Sequence, residues 1–282
     1  MKHIVLIKKV IDHIEDHLRV DLTIRQLAKA FHMSPYYFQR VFYAVTGFTV
    51  NKYIRNRRLT EAANELKNTS KSILEIAVDF EYGLQEAFSR AFQSQYGLTP
   101  LKYKKYHPPI SLCHKLVVKD SVSEVLDIQH SMVLLDEQYV FGYAYKANQE
   151  YFKDIPNFYN EFASRRRYND ILKRTHPAYA YGIVCDDEDF TFAIGEKTDD
   201  LTQVKKGYRH IKLSKGHYAV FDTTGSIKQL QNTWRYIYGE WFDESEYVRD
   251  EGEDFEIIDV NRSEYPNEMK ASIYIPIRKA KQ

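Results

Sequence analysis

The sequence predicts two joined folds: an N-terminal all-α domain with two helix-turn-helix units, and a C-terminal α+β domain with duplicated strand-helix-strand-strand units. Three observations carry this. First, the front of the chain repeats itself. IRQLAKAFHMSPYYFQRVFYAVTGFTVNKY begins at Ile24 and ILEIAVDFEYGLQEAFSRAFQSQYGLTPLKY at Ile73, so Ile24, Leu27, Ala28 and Phe31 match Ile73, Ile76, Ala77 and Phe80 at an offset of 49. One extra residue near Gly83 makes the offset 50, and Phe38, Arg40, Phe42, Gly47, Thr49, Lys52 and Tyr53 then match Phe88, Arg90, Phe92, Gly97, Thr99, Lys102 and Tyr103. Fixed-period self-similarity marks one supersecondary unit used twice. Second, charge divides along the chain. Residues 1–106 hold 17 basic and 10 acidic residues, a balance of +7, and the rest hold 23 and 29, a balance of −6. Third, helical patterning stops at His107-Pro108-Pro109, because Pro-Pro cannot continue a helix, and strand-like patterning follows.

The elements follow in order. Ile7, Ile11, Ile14 and Leu18 share one face of a first helix. Ser34 and Pro35 are a good N-cap and first-turn pair for the second helix of the first unit, and Gly47 punctuates its end. A longer helix is expected from about residue 50 to 67, carrying Arg55, Arg57 and Arg58. The second unit ends at 103–106. Residues 1–106 are thus read as one domain, 107–122 as a linker and 123–282 as the second domain. There, Gln138–Lys146 reads as a strand, 155–173 as helical, and 178–185, an acidic turn at 186–189, and 190–196 as a hairpin. The order recurs as strand 218–223, helix 226–242 and strands 254–260 and 270–277, which implies a duplicated α+β unit.

Composition narrows the function classes. The chain has 282 residues, enough for two cores, and 44% hydrophobic content marks it as globular. No run approaches the roughly 18 to 20 apolar residues of a membrane span, so no membrane partner is expected. The apolar N-terminus is interrupted by Asp12, Glu15 and Asp16 and has no small-residue cleavage site, which argues against a signal peptide. Cys113 and Cys185 are far apart with no CxxC, which fits a reducing cytoplasm and argues against a disulfide framework or zinc site. No metal or cofactor is expected.

The basic front half suits a polyanion. On a helix over 34–45, Phe38, Val41, Phe42 and Val45 face inward, while Tyr36, Gln39, Arg40 and Tyr43 face out. In the second unit Leu84, Phe88, Ala91 and Phe92 face inward, and Gln85, Glu86, Ser89, Arg90 and Gln93 face out. Gln can bond adenine and Arg guanine bidentately in the major groove. Lys52, Arg55, Arg57 and Arg58 suit phosphates. Any amphipathic helix exposes polar residues; the repeat, the basic excess and the paired Arg40 and Arg90 together favour base reading of double-stranded DNA. Glu86 is awkward: phosphates repel it, and it either accepts from a cytosine amino group or is solvated.

SPYYFQRVFYAVTGFTVNKYIRNRRLTEAANEL followed by SILEIAVDF and EAFSRAFQSQYGLTPLKYKK resembles the AraC/XylS transcription regulators over about residues 5–106. The resemblance implies two recognition helices in successive major-groove segments, roughly 34 Å apart. By position it assigns base reading to Tyr36, Gln39 and Arg40, and to Gln85, Glu86, Ser89 and Arg90. It also makes RNA polymerase a further partner. Where the family has Gly-Phe before the second recognition helix, this chain has Glu81-Tyr82 and then Gly83, which implies a differently shaped turn.

In the second domain DFEIIDV places Glu256 on a strand face with Ile258 and Val260. A carboxylate among apolar neighbours is either a cation site or an exposed strand end. Leu230, Trp234, Ile237 and Trp241 form a helical stripe, a pattern that is more often core than pocket. Aromatics such as Tyr145 and Phe221 surround these segments, and aromatic walls near an acid suit an aromatic cation. GYRHIKLSKGHYAVFDTTGSIKQLQNTWRYIYGEWF, DFEII and ASIYIPI resemble the GyrI-like effector-binding domain over about residues 125–279. The resemblance makes Glu256 the acid at the pocket base and Trp234 the helix tryptophan, with a small, often cationic and hydrophobic effector. Together these features predict a DNA-binding transcription regulator, not an enzyme, that senses a small molecule. Two alternatives stay open: a tethered small-molecule hydrolase using Glu256 as acid/base, and a protein-binding domain. Against the hydrolase, there is no GxSxG, phosphate loop or metal-ligand spacing, and His176, His210 and His217 are isolated.

Overall fold

The computed structural model describes residues 3–118, 128–146, 151–185, 191–264 and 267–280; the acidic turn expected at 186–189 and the side chain of Tyr36 lie outside the described residues. The chain divides into two compact units, Met1–Asp120 and Ser121–Gln282.

The first unit is helical: α1 (His3–Asp16), α2 (Ile24–Ala30), α3 (Pro35–Thr46), α4 (Val50–Asn68), α5 (Ile73–Asp79), α6 (Gln85–Tyr96) and α7 (Pro100–Tyr106). Side-chain caps set most of the starts. Thr23 with Gln26, and Ser72 with Glu75, form capping boxes at α2 and α5. Thr49 and Thr99 accept from the backbone of Lys52 and Lys102 at α4 and α7. Gly47 and Gly97 end α3 and α6 in the left-handed region, at φ 73° and 75°, where other residues are strained. Helix α4 buries Tyr53, Ile54, Arg57, Leu59, Ala62 and Leu66 on several sides, because each helix-turn-helix packs on a different flank of it. On the second flank Leu59 and Leu66 meet Ile76, Phe80, Phe88, Phe92 and Tyr103. Each such side chain contributes roughly 1.5–3 kcal/mol when fully buried.

The two turns differ as the sequence anticipated. His32 and Glu81 occupy the same left-handed position, φ 56° and 64°. Met33 and Tyr82 then donate back to Ala28 and Ala77, both at 2.9 Å. Only the second turn adds Gly83, at φ 66°, and its N-cap is Leu84, which has no capping side chain. Leu84 was expected to face inward; instead it is 65% exposed, because the inserted residue leaves it in extended backbone before the helix starts.

The stretch expected to begin a linker is bonded to the first unit over its described part. Ile110 and Leu112 pack against the core, the Cys113 N–H donates to Thr60 Oγ1 at 3.0 Å, and Leu116 N–H donates to Tyr53 Oη at 3.4 Å.

The second unit contains β1 (His130–Leu135), β2 (Gln138–Lys146), α8 (Tyr151–Ser164), β3 (Tyr179–Cys185), β4 (Thr191–Lys197), β5 (Tyr208–Leu213), β6 (Gly216–Gly225), α9 (Ile227–Tyr236), β7 (Tyr247–Arg249), β8 (Phe255–Asp259) and β9 (Met269–Lys279). Helix α9 runs into a π-helical turn, Ile237–Trp241. The strands form one antiparallel sheet in the order β1-β6-β9-β8-β3-β4-β2-β5, with β7 on the far part of β9. The duplicated unit is β2-α8-β3-β4 and β6-α9-β8-β9, joined where β3 pairs with β8. The sequence reading did not anticipate β1 and β5. Each crosses to the other repeat: β5 pairs with β2, and β1 with β6. One face buries Val140, Ile183, Ile211, Leu213, Tyr218 and Phe255 in a single cluster that includes strands from both ends of the order, so the sheet curls around that face.

Candidate functional site

The first unit presents its two recognition helices unequally. On α6, Gln85, Glu86 and Arg90 are exposed and Ser89 is half-buried. On α3, Gln39 is half-buried, and its amide nitrogen is enclosed without a hydrogen-bond partner among the described residues. Arg40 was expected to face out and is 3% exposed. The start of α1 lies on this side of α3: Tyr37 Oη bonds His3 Nε2 at 2.8 Å, and Arg40 stands one turn further along the same side.

The expected phosphate contacts also divide. Arg55 is exposed and Lys52 half-buried. Arg57 and Arg58 are turned inward instead. Arg57 bonds Glu15 through Nε at 2.9 Å and Nη2 at 2.8 Å, Glu61 at 2.7 Å and the Cys113 carbonyl at 2.6 Å. Tyr53 Oη donates to the same Glu15 at 2.6 Å. Arg58 donates to the carbonyls of Leu18 at 2.8 Å and Val20 at 2.7 Å, closing the end of the α1 segment. Both guanidiniums hold the domain together because α4 is covered on the side that carries them.

In the second unit the site is built around Glu256, which is 3% exposed on β8. Each carboxylate oxygen accepts from a side chain of a different helix. Tyr159 Oη of α8 donates to Oε1 at 2.8 Å and Trp234 Nε1 of α9 to Oε2 at 2.9 Å. Burial, and then the charge of Glu256, push the Tyr159 phenol well above the ordinary tyrosine value, so it stays a proton donor. Directly across from Glu256 on β3 is Gly182, where an added Cβ would lie 2.0 Å from Tyr159 Oη. The glycine makes the space that lets the phenol reach the acid. On β8, Ile258 is buried with Glu256 as expected, whereas Val260 lies past the strand end and is 47% exposed.

Of the helical stripe, Leu230, Ile237 and Trp241 are core, and Trp234 alone reaches the acid. Trp234 stacks at 12° on Tyr238, whose hydroxyl bonds the fully buried Asp254, and Arg249 Nε bonds the same acid at 3.0 Å. Two expected members are not brought to Glu256. Tyr145 is three strands away and stacks on Phe158, with centroids 4.7 Å apart, while Arg167 sits over neighbouring Tyr143 at 3.4 Å. Phe221 is two strands away and packs edge-on against Trp241 at 5.0 Å as core. Counting aromatics by composition cannot say which strand separates them from the acid. Sequence reading missed Tyr159. Its signal was indirect: a glycine inside the apolar strand YAYGIVC marks a close approach to the backbone.

Among the described residues no group of three or more His, Cys, Asp or Glu could hold a metal ion, and no helix is long and apolar enough to cross a membrane.

Residues 27–106 match a family model described as a helix-turn-helix domain, and residues 131–277 match one described as an integron-associated effector binding protein. The right origin-binding protein of Escherichia coli (strain K12) is 27% identical over 300 residues, covering 97% of this chain and 98% of that protein. The regulatory protein SoxS of the same strain is 41% identical over 104 residues, covering 37% of this chain and 97% of SoxS. Among solved structures, SAV2435 bound to tetraphenylphosphonium is 17% identical with a TM-score of 0.45, covering 53% of this chain and 94% of that one.

Proposed function

The chain belongs to the AraC-type regulators that carry a GyrI-like effector-binding domain, and on that premise we propose how its two units divide the work. The first unit reads double-stranded DNA chiefly through α6, with Gln85, Ser89 and Arg90 on base edges and Glu86 at the edge of the contact. From α3, Gln39 brings an amide donor that is enclosed and has no hydrogen-bond partner among the described residues, so it has to turn outward to reach a base. Arg40 joins only if it swings out from its buried position. Lys52 and Arg55 bind phosphates.

The second unit binds a small hydrophobic cation. The observation that carries this is the Glu256 carboxylate: it is buried, and its two oxygens are held by side chains from two different helices. A cation entering here replaces a neutral donor with a full charge, whose Coulomb attraction to the carboxylate is greater at low dielectric than in bulk water. It has to displace Tyr159 or Trp234, so binding moves α8 or α9. That gives the ligand different affinities for two arrangements of the domain, which any ligand switch requires.

The test is a thermal-shift titration of the full chain with tetraphenylphosphonium and its neutral relative triphenylphosphine oxide. Binding at a hundredfold excess over Kd is worth about 2.7 kcal/mol, so the expected result is a clear rise in Tm with the cation only, abolished in Glu256→Gln. Equal shifts with both compounds, or a shift that survives Glu256→Gln, would overturn the reading.

A further inference from the structure

Helices α8 and α9 cover the sheet face that carries Glu256. The opposite face, around which the sheet curls, holds an open groove of about 560 Å³, within the size range of small-molecule sites. Tyr181, Ile257 and Tyr274 line it, with Tyr179 at its edge. Register separates the two faces cleanly. Ile257 lies opposite Tyr181 and Ser272, whereas Glu256 lies opposite Gly182 and Ile273.

The charged side chains in this groove are not equally satisfied. Both acids have donors already. Asp222 accepts from Ser272 Oγ at 2.6 Å, and Asp259 accepts from the N–H groups of Asn261 and Arg262 at 3.1 Å each. Lys197 and Lys270 also line the groove, and neither forms an ion pair with an acid among the described residues. Arg262 adds a third cation, only loosely held by Asp259 at 3.8 Å. Lys197 and Lys270 thus bring positive charge to a tyrosine-lined surface in the half of the chain after residue 106, which is acidic overall. Burial pushes the Tyr181 phenol up to about 12 and raises Tyr274 as well, so both hydroxyls remain donors at neutral pH.

We propose that this groove is a second small-molecule site, selective for aromatic compounds that carry a carboxylate, sulfonate or phosphate. The rings stack on the tyrosines, and the anion is held by Lys197, Lys270 and the phenol hydroxyls. The domain then takes ligands of opposite charge on its two faces.

The test is calorimetric titration of the full chain with 2-naphthoate and with the neutral 2-naphthalenemethanol. Naphthoate should bind saturably and at least about tenfold more tightly than the alcohol. The double variant Lys197→Gln/Lys270→Gln should lose about tenfold or more in naphthoate affinity while keeping its melting temperature and its weak binding of the alcohol. Glu256→Gln should bind naphthoate as the wild type does, which separates this site from the cation site. No saturable naphthoate binding, an unchanged double variant, or loss in Glu256→Gln would each overturn the proposal.

Discussion

Gly47 and Gly97 end the two recognition helices at nearly the same backbone angle, and Thr49 and Thr99 open the helices that follow in the same way. Yet α3 keeps Arg40 buried and α6 leaves Arg90 exposed. The repeat therefore preserves what makes the scaffold (caps, chain reversals and inward aromatics) and leaves the outward surface free to diverge. The helix that precedes the first unit also bonds α3, through His3 and Tyr37.

The largest expected effect tests whether the first unit depends on buried charge. Arg57→Ala strips Glu15, Glu61 and the Cys113 carbonyl of one shared donor. Breaking such a buried pair costs about 3–5 kcal/mol, measured as a shift of the chemical denaturation midpoint. A loss under 1 kcal/mol would mean the network is ornamental. The same pair has a pH signature. Burial works to raise the Glu15 carboxyl, but hydrogen bonds from Arg57 and Tyr53 outweigh it and the net shift is downward from 4.5. A lowered folded pKa means the stabilisation is present above the ordinary glutamate value and disappears as pH falls through the folded one. The wild type should thus lose stability on acidification more steeply than Arg57→Ala.

Next comes the difference between the recognition helices themselves. Arg90→Ala should weaken a specific duplex by about 1–3 kcal/mol and relax base preference at one position, read by fluorescence anisotropy against specific and scrambled DNA. Arg40→Ala should affect folding more than binding. Equal loss of specific binding in both variants would erase the distinction and mean that Arg40 swings out on DNA. The smallest effect concerns the caps. Ser34 caps α3, whereas Leu84 offers α6 no side-chain bond. Ser34→Ala should cost about 1 kcal/mol, and Leu84→Ser should stabilise by about 0.5–1 kcal/mol in the same denaturation assay. Destabilisation by Leu84→Ser would show that the exposed leucine has a packing role.

The residues that were legible in sequence are those whose environment is local. Ser34, Gly47, Thr49 and Gly97 act within a few residues of themselves. Glu256 and Trp234 were legible through the resemblance to the GyrI-like domain, because pattern alone fits an exposed strand end and a core helix better. Arg40 and Arg57 lie buried and Arg58 half-buried where an outward position was expected, because a helical wheel describes one helix and not its neighbours. Helix α4, buried on several sides, has no single polar face to read. Strands β1 and β5 escaped notice because their partners belong to the other repeat. Tyr159 was hidden for a similar reason, since only the fold brings α8 over Gly182 and Glu256.

The segment after α7 bears on how such proteins are assembled by recombination. The visible repeat ends at Tyr106, and the Pro-Pro that follows looks like a natural seam. But Leu112, Cys113 and Leu116 are tied to the middle of α4 by the core, Arg57, Thr60 and Tyr53. A gene fusion that cut at the prolines would carry away part of the reader with the old sensor. The portable cassette extends past the repeat that advertises it, and a graft that gives this reader a new sensor has to join beyond Leu116.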